Sequence, residues 1–461
     1  MSNLEKRIEQ IFKFLASLQL AVIVIVALGV ISAVGTIIEA QYDAIYAQKI
    51  IYHSGPMYLV MALLCVNLFN VMIDRLPWKR HHSGFVFAHI GIILLIVGSL
   101  VTRLWGVDGS LPIDIGKKNR YVLIPAETEL AVYSTYGSGG YKQMHKTLRD
   151  FLVQPLDGEP YEIQLGKDKL EVLEHFYAAR RKESIVPDDK NEGGAVRIQL
   201  QNANVNMVEW ILRDRKNESD ILNLGPARIL FSDVEPNYAG QNEIYLVPTA
   251  DQKRLKYFIF TKSKGGLTKK GVVDAGDSVE VGWMGIQLRI LKYLPQAKFL
   301  VEYEPVKKPI DGVTTSALKM KFKGEEHWVG LNSSLRLYTD NLMYLVSYAN
   351  RRIDLGFEIQ LDKFEVGRYQ GTMRAASYAS DVQIPGVLEA HISMNNPLKH
   401  GGYTFYQASF QENDAGQATT SILSVNYDPG RWIKYLGSLL IVLGSILMFY
   451  FKQMIMRSSK K

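Results

Sequence analysis

The chain has 461 residues and a net charge of +7, room for two or three domains, and no aromatic-interleaved basic patch that would indicate a nucleic-acid partner. Its single cysteine, Cys65, falls in an apolar run, which excludes an internal disulfide, a Cys-x-x-Cys redox pair and a Cys-x-x-Cys-His haem attachment site. No glycine-rich phosphate loop and no His-Glu-x-x-His zinc motif occurs.

Residues 1–13 are polar and carry Lys6, Arg7 and Lys13. The apolar run from Phe14 to Ile38 is too long for a signal-peptide core and has no clear cleavage site, so it predicts a retained first span. A polar loop at about 39–56 leads to a second span, Met57–Ile73, whose Asn67 and Asn70 are expected to hydrogen-bond neighbouring helices. Asp74–His82 is basic, with Arg75, Lys79 and Arg80, and a third span follows at about 83–103. A fourth begins near Trp432 and ends near Phe451, and Lys452, Arg457, Lys460 and Lys461 close the chain. The loop between the first two spans has only Lys49, so the positive-inside rule puts both termini in the cytoplasm. The reading is a multi-pass protein of the cytoplasmic membrane with residues 104–430 outside, and Trp105 and Trp432 as aromatic-belt residues at the outer crossings.

Within Ser83–Val101 the one ionisable residue is His89. At 100° per residue Ile93, Ile96 and Leu100 share its face, while Gly91 and Gly98 lie opposite, where small residues let another helix approach. An imidazole carried into lipid needs a specific reason: a hydrogen bond to helix backbone or a buried amide is one, ligation of haem iron is the other.

The stretch 104–430 alternates apolar and polar residues over short runs, as in Glu129–Ser134, Val196–Leu200, Glu243–Val247, Lys256–Phe260 and Lys319–Phe322, with Val186–Gly194 and Arg213–Asp220 as loops. Three segments align, starting at Leu170, Leu288 and Phe364, each following a strand-like run and a Gly or Asp turn. They predict related hairpins. The fold expected is a membrane protein with four transmembrane helices plus a large, mainly-β extracytoplasmic domain of repeated sheet units between the third and fourth helices. The divisions are 1–103, 104–430 and 431–461. Without cysteines the outer domain must be stable by burial alone, and its size permits that.

The remaining histidines divide simply. His175 stands where the aligned segments have Tyr293 and Tyr369 and is read as a sheet residue, as is His327. His145, His391 and His400 are read as solvated. His53 in the first outer loop, and His81 and His82 at the inner interface, are open to a functional role that the sequence does not define.

One resemblance runs through both ends of the chain. His89-Ile-Gly91, Gly98, Thr102-Arg103, Gly106, Gly109, Ile113 and Gly116 resemble the third-span signature of the ResB family of system II cytochrome c biogenesis. Asn396-Pro397-Leu398, Gly402-Tyr403, Tyr406-Gln407, Ser409, the run Leu423–Gly430 and the span with Gly437 and Gly444 resemble its last outer motif. Gly35-Thr36 also fits. The resemblance covers the middle of the outer domain poorly.

The resemblance implies that the chain pairs with a tryptophan-rich ResC/CcsA-type membrane subunit, carries haem b in transit, and helps attach it to apocytochrome c at Cys-x-x-Cys-His. His89 maps onto the transmembrane histidine thought to be one axial ligand. Thiol-reducing partners are compatible with it, and no catalytic residue is assigned. The six tryptophans are scattered, so the expectation is the ResB subunit alone. Against this stands a membrane scaffold or extracytoplasmic receptor without haem. Cytoplasmic segments too short for a signalling domain count against the receptor.

Overall fold

Two glycine-rich helices and the two strands that continue them form the spine of the chain. The structure is a computed structural model and describes residues 3–451 apart from 136–139, 214–218, 235, 340, 373 and 414. The basic tail therefore lies outside the described residues, as does most of the expected loop Arg213–Asp220.

The chain opens with α1, Asn3–Leu15. Leu4, Ile8, Ile11 and Leu15 recur at helical spacing along one side, opposite Lys6, Glu9 and Lys13, so a segment read as polar is an amphipathic helix. Phe14 and Leu15, read as the start of the first span, belong to it. The chain breaks at Ser17, whose hydroxyl accepts from the Leu20 amide at 3.1 Å and caps α2, Leu18–Gln41. A short helix α3, Ala44–Ala47, runs into one wide turn, Gln48–Tyr52. The helix α4, Gly55–Asp74, starts at the capping Ser54. Its Asn67 amide donates to the carbonyls of Leu15 (2.8 Å) and Ser17 (3.1 Å), tying down the α1–α2 corner. Asn70 instead bonds Val66 one turn back in its own helix, which corrects its expected role. The helix α5 spans Ser83–Trp105, and α6 spans Arg431–Ile446 and continues through a wide turn to Phe451. Among the described residues four helices are long and apolar enough to cross a membrane: Leu18–Gln41, Gly55–Asp74, Arg80–Trp105 and Arg431–Tyr450.

Between α5 and α6 the chain is mainly strand. By contacts it forms two compact units, Met1–Ala179 with Pro305–Lys461, and Arg180–Glu304, where the sequence suggested one outer domain. The first unit holds a ten-stranded sheet. In it the strand leaving α5, Val107–Asp114, pairs antiparallel with the strand entering α6, Ala418–Tyr427, from Val107 opposite Tyr427 to Asp114 opposite Thr420. Leu111, Ile113, Leu423 and Val425 of this pair point into a core with Ile359, Leu361 and Phe405, as period-two alternation requires. A second core of the same unit gathers Leu130, Val132, Leu170, Val172, Leu318, Met320 and Tyr348. The unit Arg180–Glu304 contains a four-stranded and a five-stranded sheet around Ile198, Phe231, Ile244 and Leu288.

Two of the three expected hairpins are present: Ile163 pairs with Leu170, and Val279 with Leu288. The third is not. Phe364 lies far along a single strand, Met343–Arg368. Gly356, with φ +81°, lets that strand shift register between Asp354 and Ile359 without reversing, so the chain carries a bulge where a turn was expected before Phe364.

Candidate functional site

The site is built on α5, and one face of that helix is fixed by glycine. Gly84, Gly91 and Gly98 lie against Gly444 and Gly437 of the antiparallel α6 and against Gly430, which caps it. A Cβ on Gly91 would stand 2.7 Å from the Gly437 carbonyl oxygen, and one on Gly437 the same 2.7 Å from the Gly91 oxygen. The backbones therefore touch, and any side chain on this seam would separate them. The expected packing role of Gly91 and Gly98 is met, by a partner helix with the same seven-residue glycine spacing. At one end the Thr102 hydroxyl donates to Asp428 at 2.6 Å and the Lys434 ammonium pairs with it at 2.8 Å. Burial alone would raise the Asp428 carboxyl, but these two donors outweigh it and hold the group below the usual carboxylate range.

His89 lies on the other face, partly exposed, with Ile93, Ile96 and Leu100. Its Nδ1 is 2.9 Å from the Phe85 carbonyl oxygen. A carbonyl only accepts, so Nδ1 carries the proton and the neutral ring keeps its lone pair on Nε2. Nε2 has no hydrogen-bond partner among the described residues. The ring packs 3.8 Å from the Phe85 ring, and the Arg75 guanidinium lies 3.9 Å from the far ring's centroid. The backbone hydrogen bond expected of a merely structural histidine is thus present, and it also leaves free the nitrogen that a metal would use.

His81 and His82 meet edge to face at 4.2 Å, and His82 Nδ1 accepts from the Lys79 amide at 3.3 Å, closing the turn into α5. His53 is half-buried, and burial, with Arg103 nearby, holds its pKa below the ordinary value. His145, read as solvated, is partly buried and lowered by that burial. His391 is exposed and pairs with Asp381 at 2.7 Å, while His400 packs edge-on against Phe357 at 4.7 Å.

Sequence reasoning missed a polar junction where the loop after α2 meets the sheets. A cavity of about 240 Å³ is lined there by Asp43, Lys49, Asp150, His175, Tyr177 and Ser316, among others. The Tyr177 hydroxyl donates to the Asp43 carboxylate, with both oxygens at 2.8 Å, while Asp43 also caps α3 by accepting from the Tyr46 amide at 2.7 Å. Burial, with the carboxylate beside it, drives the Tyr177 phenol far above its ordinary pKa. Lys49, only 10% exposed, pairs with Asp150 at 2.6 Å. His175 Nε2 lies 2.9 Å from Ser316 Oγ, and that hydroxyl donates to the Phe176 carbonyl at 3.1 Å, so the imidazole donates to the serine. Burial pushes His175 down to about 4 and keeps it neutral. The lone basic residue of the first loop was visible in the sequence, but partners 134 residues apart, as Asp43 and Tyr177 are, were not.

Among the described residues no group of three or more His, Cys, Asp and Glu side chains is placed to hold a metal ion. Known proteins narrow the reading from a different part of the chain. Residues 338–423 match the ResB-like family. That match covers less than half of the chain. It is also similar to Protein NrfI of Wolinella succinogenes, 38% identical over 122 residues, which is 25% of this chain and 13% of that protein. The chain thus aligns with only a small part of its relative's length. The family match falls on the ten-stranded sheet and leaves His89 outside it. Two of the resembling residues of the sheet have a visible local part. Gly402 turns with φ +83°, and Gln407 is buried against Ser380 and Ser421, accepting from Ser380 at 2.6 Å.

Proposed function

We propose that this chain is the ResB-type subunit of a cytochrome c biogenesis complex in the cytoplasmic membrane, with both termini inside and the β region outside. It carries haem b across the membrane as cargo, with His89 as one axial ligand, and presents it for attachment to apocytochrome c. A tryptophan-rich membrane subunit supplies the second ligand. The supporting observation is the unpartnered Nε2 of His89, held in one tautomer by the Phe85 carbonyl on the face that α6 does not cover. A neutral imidazole with an oriented lone pair suits an axial position of haem iron. The apolar residues on its face exclude water from the macrocycle, while the glycine seam holds the helix that bears the ligand.

The test is His89→Gly in the full chain, isolated with its accompanying subunits. The complex is expected to assemble, to lose most of its haem Soret absorbance, and to regain part of it when imidazole is added. Normal haem content in the variant would reject the ligand, and absence of haem from the unaltered complex would favour a haem-free scaffold. If the variant does not assemble, the histidine is structural.

A further inference from the structure

We infer that Arg75 is a binding group for a carboxylate of the same cargo. The inference rests on the reading of His89 as a haem ligand and adds to it the recognition of the acidic edge of the macrocycle. Arg75 is the residue that ends α4, one position past Asp74. Its guanidinium carbon lies 3.9 Å from the centroid of the Phe85 ring. The imidazole of His89 packs against that same ring at 3.8 Å. Phe85 therefore links a fixed cation and a fixed metal-binding nitrogen at one end of the helix bundle.

Three features single out this cation. First, the cation–π contact orients it and leaves its donor edges unused. Second, Arg75 makes no ion pair or hydrogen bond to a carboxylate among the described residues, and it is exposed. Third, a planar guanidinium offers two parallel N–H donors, which match the two oxygens of a carboxylate. Haem b carries propionate side chains on one edge, a macrocycle radius from the iron. A ligand for the iron and a donor pair for a propionate, joined through one phenyl ring, would set the rotation of the cargo as well as hold it. The neighbouring Lys79 and Arg80 add positive charge at this end but have no such contact to fix them.

The experiment compares two probes on the full chain, purified with its accompanying subunits into discs of zwitterionic lipid. One is haem and the other is haem dimethyl ester, in which the carboxylates are blocked. Arg75→Gln is expected to weaken haem binding about ten- to a hundredfold, the worth of a charge-assisted hydrogen-bond pair. It should leave the affinity for the ester unchanged. At saturation the Soret position should equal that of the unaltered protein, since the iron ligand is intact. Arg75→Lys, which keeps the charge but not the fork, should recover part of the loss. Equal haem affinity in Arg75→Gln and the unaltered protein would overturn the inference and leave the His89 reading standing. An equal loss for haem and ester would also overturn it, because the residue would then act on the fold. Failure of the unaltered protein to bind either probe would overturn the function proposed for His89, and this inference with it.

Discussion

The seam between α5 and α6 and the junction between the first loop and the sheets both hold the helices in place, by opposite means. The seam is made of backbone. Three glycines of α5 meet two of α6 and its capping Gly430, so the two backbones touch, and Lys434 packs beside Gly98 at one end. The junction is made of side chains: a lysine–aspartate pair, a tyrosine on a carboxylate, and a neutral histidine on a serine. Backbone contact has two states, closed or separated, whereas polar side-chain contacts weaken in steps and respond to pH. The element proposed to carry the ligand thus rests on the stiffer of the two attachments.

Gly91→Leu should break this contrast most severely. A new Cβ meets the Gly437 oxygen at 2.7 Å and the Ile441 amide nitrogen at 2.8 Å, and neither atom is the flexible end of a side chain. Overpacking in a soluble core typically costs about 1–3 kcal/mol, and a backbone obstruction exceeds that range. The expected outcome is loss of folded protein on extraction from the membrane, read as size-exclusion yield. A Gly91→Leu protein recovered at normal yield would show that the seam can open without cost.

Asp150→Asn should have a smaller effect at the junction. It leaves Lys49 largely buried without its carboxylate. Asp150 keeps some solvent contact, so the cost falls between those of exposed and buried pairs, about 2 kcal/mol. Limited proteolysis near the loop after α2 should speed up while the helix pair stays intact. Equal destabilisation of both regions would mean that seam and junction form one cooperative block.

What the sequence could and could not tell follows the same divide. Glycines seven apart on α5, and the opposite placement of His89, were legible because a helix maps spacing directly onto faces. The strands around Ile198, Ile244 and Ile259 were legible through alternation. The amphipathic α1 was hidden because charged residues counted in bulk mask an apolar stripe at Leu4, Ile8 and Ile11. The separate unit Arg180–Glu304 was hidden too, since its strands alternate like those around it. The junction was illegible for a different reason: its pairs join residues more than a hundred positions apart. His175 shows the consequence, for it was read as an ordinary sheet residue because tyrosines occupy the aligned positions.

That histidine gives the smallest and most specific prediction. Burial lowers His175 to about 4, against an ordinary value of 6.5. Below 6.5 the unfolded chain takes up a proton that the folded chain refuses until about pH 4, so stability from this group is full above 6.5 and declines as the pH falls between the two values. Asp150 and Lys49 act on it in opposite directions, the carboxylate favouring its charged form and the ammonium opposing it. The expected loss between pH 6.5 and 5 is about 1–2 kcal/mol. His175→Gln can keep a donor toward Ser316 but cannot titrate. Thermal unfolding of the full chain should fall more steeply with acid in the unaltered protein than in His175→Gln, and the two should run parallel above pH 7. Equal slopes throughout would mean that His175 accepts its proton in the folded state and does not set the pH response of the junction.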